Sequence, residues 1–179
     1  MTSLHYSLLA TVFLFAAAPA MAATDGTLGD TSEGSSDIDL TLPPTVKLTG
    51  VGDITLAPNA DALAANVTMF DDVCVYSNVT AARNFTVTAS GDGAANAFTV
   101  TDGTTPIAYT VTFKAGTGGT GTALTAGTVS GNFANGANNY DCTGGATSSF
   151  DVTFSPDAMQ AGFAGDYTGT LTLLVSPGV

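Results

Sequence analysis

Apolar and polar residues alternate along much of this chain, and one stretch sets the pattern. From Ser36 to Leu48 (SDIDLTLPPTVKL) every even position from Ile38 is apolar, and every odd one except Pro43 is polar or charged. A strand repeats every two residues, so this pattern lays one apolar row on one face. Pro43-Pro44 interrupts the row, because proline donates no ladder hydrogen bond and stiffens the chain. The stretch predicts two short strands, Asp37–Leu42 and a second following Pro44, separated by a rigid joint. Gly50 and Gly52 then allow a bend, after which Ile54 and Leu56 continue the even-numbered row.

The same period recurs downstream. Val67 and Met69 lead into a strand over Asp71–Tyr76, and Phe85, Val87 and Ala89 form another run that ends in the turn signal Gly91-Asp92-Gly93. Phe98 and Val100 precede Asp102-Gly103; Ile107, Tyr109, Val111 and Phe113 make the cleanest row, with Thr110 and Thr112 on its other face. Leu124 and Val129 mark weaker strands, Phe150, Val152 and Phe154 a stronger one before Pro156, and Tyr167–Val175 a long final strand. Asn59–Ala65 has the chain's best local helix composition, enough for one or two turns. β-Branched residues abound and surface-helix formers other than Ala are scarce. The expected fold is all-β: an immunoglobulin-like sandwich of about seven to nine antiparallel strands.

The ends modify this picture. Residues 1–22 read as a secretory signal, with an apolar core from Leu8 to Ala18 and a small-x-small cleavage pattern at Ala20-Met21-Ala22. Residues 23–36 are acidic and rich in Gly and Ser, which predicts a flexible leader. The chain carries 15 acidic and 3 basic residues, a formal net charge of −12. That balance argues against nucleic acid or anionic lipid as partners, both of which select Lys/Arg clusters. Once the signal is removed, nothing long enough to enter a membrane is expected. The only histidine, His5, lies in that signal, so a Ser-His-Asp or Cys-His site is excluded from the mature chain.

Cys74 and Cys142 are the only cysteines, and an even count in an exported chain reads as one structural disulfide. Other chemistry is sparse. Asp71 and Asp72 are neighbours on a strand and point to opposite faces, so they do not converge as a carboxylate pair. Lys47 or Lys114 could activate a hydroxyl, but no motif surrounds either. Gly116–Gly121 (GTGGTG) lacks the ending of a phosphate loop and reads as a flexible hairpin. Asp92, Asp102 and Asp141 sit in predicted loops and offer oxygen ligands for calcium, against the simpler reading of solvated turn residues. Asn66, Asn78 and Asn84 each begin a glycosylation sequon, which matters only in a eukaryotic secretory pathway. The chain is read as non-enzymatic and without a cofactor.

Two stretches carry a resemblance. Asp37–Leu48 is an alternating strand, a proline joint and a first domain strand. Ala164–Leu173 (AGDYTGTLTL) is similar to the AG-x-Y-[ST]-G-x-[VL] ending found in chaperone–usher fimbrial subunits, especially the alpha (class 5) branch. Gly165, Tyr167, Gly169, Leu171 and Leu173 are the residues of that terminal motif. The resemblance implies an incomplete immunoglobulin-like domain over 45–179, completed by the N-terminal extension of a neighbouring copy or related subunit. Residues 37–44 would be that extension, and Ile38, Leu40 and Leu42 its pocket-filling side chains. It further implies a periplasmic chaperone and an outer-membrane usher as partners, and a final location on the cell surface. The alternative is a stand-alone secreted β-sandwich that binds carbohydrate or calcium through its loops.

Overall fold

A computed structural model of the chain describes residues 23–57 and 63–179. The predicted signal segment 1–22 lies outside the described residues, as does most of the predicted helical stretch Asn59–Ala65; the latter's described end is a 3-10 turn at Leu63 and Ala64. The chain divides into two compact units, Met1–Leu42 and Pro43–Val179.

In the first unit, the leader closes on itself. Thr24 and Ser35 form an antiparallel bridge in which each backbone N–H donates to the other's carbonyl, at 3.0 and 2.9 Å, and their hydroxyls meet at 2.6 Å. Asp37–Leu42 belongs to no strand. A strand is stable only when a neighbour takes up its backbone donors and acceptors, and the alternation of Ile38, Leu40 and Leu42 supplies none of that partnership itself.

The second unit is a β-sandwich. Its strands are β1 (Val46–Thr49), β2 (Val67–Ser77), β3 (Phe85–Gly91), β4 (Thr99–Thr101), β5 (Pro106–Ala108), β6 (Thr110–Ala115), β7 (Thr122–Ala123), β8 (Ser148–Phe154) and β9 (Leu171–Pro177). One layer is a five-stranded sheet in the order β1-β2-β8-β6-β7; the other is built on β3-β9, with β4-β5 as a separate hairpin. All named pairs are antiparallel. A helix, α1 (Pro156–Gln160), follows β8; Ser155 caps it by accepting the Ala158 N–H at 3.2 Å, and Pro156 stands in its first turn.

The alternating rows face one core. Val73 and Val75 of β2, Phe85, Val87 and Ala89 of β3, Val111 and Phe113 of β6, and Phe150, Val152 and Phe154 of β8 are all buried. The rings of Phe85, Phe113 and Phe133 contact one another with centroids 4.9 to 6.0 Å apart. Each such side chain contributes about 1.5–3 kcal/mol by leaving water. Cys74 and Cys142 form a disulfide on the outer face of the five-stranded sheet. It fixes the loop before β8 beside β1, where the Thr49 hydroxyl donates to Cys142 Sγ at 3.3 Å and Lys47 Nζ lies 5.9 Å from the centre of the Tyr140 ring.

The final strand is shorter than its alternation predicts. It begins at Leu171, whereas Tyr167 stands in a corner before it and Thr168 bridges Thr101. Tyr167 Oη accepts the Phe163 N–H at 3.0 Å and donates to the Phe163 carbonyl at 3.1 Å, which ties the corner into a closed loop.

Candidate functional site

In chain order and sheet position, β1, β2, β8 and β6 match strands A, B, E and D of a constant-type immunoglobulin sandwich, and β3 and β9 match strands C and F. In that architecture the second sheet has a third strand on the far side of F. Among the described residues, β9 pairs along Leu171–Pro177 with β3 alone, and no strand is bonded to its other edge. The opposite edge of β3 is covered: Gly127 N–H donates to the Ala89 carbonyl, Ser130 N–H to Val87, and Phe133 N–H to Phe85, each at 2.8–2.9 Å. β1 pairs with β2 alone and runs near β9 without being bonded to it.

The side chains follow the same asymmetry. Val46 and Leu48 of β1, Ile54 and Leu56 beyond it, and Leu171, Leu173 and Val175 of β9 pack against the core while keeping part of their surface exposed. The inward rows of β2, β3, β6 and β8 are closed over at their centres. The sandwich is thus apolar and incompletely covered along the β1/β9 seam. On β9 alternate residues direct their N–H and C=O groups away from β3, so the seam pairs exposed apolar surface with unpaired backbone groups.

The predicted arm residues lie in the other unit, with Ile38 91 %, Leu40 80 % and Leu42 72 % exposed. The even-numbered row is therefore divided at Pro43-Pro44: Val46, Leu48, Ile54 and Leu56 pack on the core of the second unit, whereas Ile38, Leu40 and Leu42 are exposed residues of the first. Asn78 organises the start of the domain. Its Oδ1 accepts the Thr45 N–H at 2.7 Å and its Nδ2 donates to the Pro43 carbonyl at 2.9 Å. Nothing in the sequence pattern marked Asn78 for this role beyond its place in a sequon.

The terminal-motif residues have separate roles. A Cβ on Gly169 would come within 2.7 Å of the Thr99 carbonyl oxygen, so this close backbone approach requires glycine. Gly165 faces no such obstruction. Leu171 and Leu173 belong to the seam, and Tyr167 holds the corner that delivers the chain into β9. Tyr167→Phe removes that pair of hydrogen bonds and is expected to cost about 1 kcal/mol, read as a lower urea midpoint with an unchanged slope.

The residues considered for other chemistry are dispersed. Asp71 and Asp72 diverge as expected: Asp71 Oδ2 accepts the Gly52 N–H at 2.7 Å, whereas Asp72 is exposed on the outer face. Lys114 pairs with Asp151 at 2.6 Å. Gly116 and Gly118 have positive φ of 101° and 81° in the loop between β6 and β7, which is a turn and leads into no helix. Asp102 Oδ1 accepts the N–H groups of Thr105 and Thr104 and the Thr104 hydroxyl, and these bonds to its charged form hold its carboxyl below the ordinary range. Asp92 Oδ2 accepts the Thr170 N–H at 3.0 Å, and Asp141 Oδ1 the Thr143 N–H at 3.4 Å. Among the described residues no three His, Cys, Asp or Glu side chains are grouped to hold a metal ion. Tyr109, pushed upward by burial and then by the charge of Asp92, is a core residue stacked on Phe98.

No family model matches the chain, and no curated protein matches it. Among solved structures, a chain from a chaperone–tip adhesin complex of CFA/I fimbriae biogenesis is similar, with a TM-score of 0.49 and 14 % sequence identity over 74 % of this chain. The present chain spans 42 % of that chain's length.

Proposed function

We propose that this chain is a structural subunit of a bacterial surface fimbria, assembled by donor-strand complementation. The observation that carries this reading is the outer edge of β9, which no strand among the described residues pairs, flanked by part-exposed Leu171, Leu173 and Val175. An added strand at that edge would satisfy the free backbone groups and cover the apolar seam together. The arm Asp37–Leu42 has the matching form, with apolar residues at every second position and acidic or hydroxyl residues between them.

The joint favours donation to another molecule. Pro43-Pro44 is stiff, and Asn78 fixes the carbonyl of Pro43 and the N–H of Thr45, which disfavours a tight reversal directly after the arm. In this reading the donor is a second copy or a related subunit. A periplasmic chaperone protects the β9 edge before an outer-membrane usher directs the exchange, and the product stands at the cell surface. Catalysis has no part in it.

The test uses a chain beginning at Pro43 and a synthetic peptide covering residues 36–44. At a free peptide concentration a hundred times Kd, binding is expected to stabilise the domain by about 2.7 kcal/mol, raising Tm by roughly 5–10 °C. The same peptide carrying Leu40→Asp is expected to do nothing. A domain whose Tm is indifferent to the unaltered peptide refutes the reading.

A further inference from the structure

The outer face of the five-stranded sheet carries a shallow depression that strand exchange does not use. The register sets Phe70 of β2 directly opposite Asp151 of β8, and aligns Asp72, Ser149 and Lys114 across β2, β8 and β6. Directly paired residues share a face, so these side chains converge. They line a hollow of about 350 Å³, to which Thr68 and the loop residues Thr117 and Gly118 also contribute.

Its chemistry is uneven in a useful way. Phe70 is 67 % exposed, and its neighbours on this face of β2, β8 and β6 from Thr68 to Asp72 are threonine, serine and charged residues, so its ring contributes little to the core and presents a flat apolar surface to solvent. Beside it, Lys114 Nζ holds Asp151 Oδ2 at 2.6 Å, and these side chains are only 22 % and 16 % exposed. The pair therefore offers a carboxylate and an ammonium group in fixed orientation, each with hydrogen-bonding capacity left over. Ser149, only 3 % exposed, places a hydroxyl in the floor, and Asp72 adds a second acceptor at the rim.

A flat aromatic ring beside a fixed donor and acceptor suits a sugar ring: the C–H face lies on Phe70 while adjacent hydroxyls bridge carboxylate and ammonium. The volume is at the low end of the roughly 300–1,000 Å³ typical of ligand pockets, which fits one ring better than an extended chain. Two carboxylates against one ammonium leave the hollow net negative, which repels sialic acid, uronic acids and phosphates. We propose that this depression is a binding site for a single neutral hexopyranose. The site lies within the Pro43–Val179 unit, stands apart from the β1/β9 seam, and is independent of the assembly reading.

The test is saturation-transfer NMR and titration calorimetry on the intact mature chain, with the methyl glycosides of D-galactose, D-glucose and D-mannose as probes and N-acetylneuraminic acid as the acidic comparison. Transfer to ring protons of at least one neutral glycoside is expected, and none to the acidic sugar. Phe70→Ala should weaken binding by about tenfold without lowering Tm, since the ring is largely exposed. Asp151→Asn should weaken it as well, and Val129→Ser, in the loop bridged to β3 of the other sheet, should leave it unchanged. The proposal is overturned if no neutral glycoside receives transfer, if Phe70→Ala binds as the unaltered chain does, or if only the acidic sugar binds.

Discussion

Replacing Cys74 and Cys142 together by alanine is expected to lower the unfolding free energy by about 4 kcal/mol, because the bridge closes a loop across 68 positions of chain. For a domain of this size that corresponds to a fall in Tm of roughly 8–16 °C. Two mechanisms contribute, and they separate kinetically. The cross-link restricts the unfolded ensemble, and to that extent its loss slows refolding and leaves native opening unchanged. It also fixes the loop carrying Tyr140 and Cys142 against Thr49 and Lys47, and to that extent its loss frees β1 within the native state. Amide exchange of Val46–Thr49 should therefore accelerate in the double variant while β8, in the middle of the sheet, keeps its protection relative to global unfolding. A double variant with an unchanged urea midpoint would show that the bridge adds nothing to the sandwich.

β1 borders the proposed acceptor seam, so this effect reaches function. Chain order alone does not guarantee that β1 stays in place, since it is an edge strand of only four residues whose one bonded neighbour among the described residues is β2. Its outer-face tether is the disulfide loop. The reduced chain is expected to present a looser seam and to take up the 36–44 peptide less well than the oxidised one.

Period-two alternation was the most legible feature of the fold. Phe85, Val87 and Ala89, Val111 and Phe113, and Phe150, Val152 and Phe154 are buried where the sequence pattern predicts, because a pleated strand can show its core only alternate side chains. The disulfide was legible for a different reason: only one pairing of two cysteines exists. The order of strands was not legible, since the pairing of β2 with β8 joins residues some eighty positions apart and no local pattern records it. α1 was passed over although Ser155-Pro156 is a good helix start, because five residues are too few to show a helical period. The final strand was drawn too long because Tyr167 continues the odd-numbered row; its side chain instead turns back to Phe163. The arm residues Ile38, Leu40 and Leu42 were found by pattern, while the edge they are proposed to fill emerged only from the pairing of β9 with β3. The hollow beside Phe70 needs three strands in register, and a chain read in one dimension cannot supply that.

Leu40→Asp in a chain beginning at Ala23 is expected to abolish assembly without altering the monomer. Leu40 is 80 % exposed and belongs to no strand, so the monomer has no packing there to lose, and its Tm should match that of the unaltered chain. In a donated strand the same residue would be the middle of the apolar row and would face the core of the acceptor. Burial of three such side chains contributes roughly 5–9 kcal/mol before the cost of ordering the arm. Replacing the central one removes about 1.5–3 kcal/mol of that and sets an unpaired carboxylate against apolar surface. The loss should exceed about 3 kcal/mol, more than a hundredfold in affinity. Thr41→Asp supplies the control, since its side chain alternates to the solvent face and the charge would stay in water. Size-exclusion chromatography and electron microscopy of the three chains at equal concentration should show polymers for the unaltered chain and Thr41→Asp, and monomers for Leu40→Asp. Equal assembly by Leu40→Asp and the unaltered chain would mean that the arm's apolar row does not enter an acceptor. A lower monomer Tm in that variant would instead mean that the row packs within its own chain.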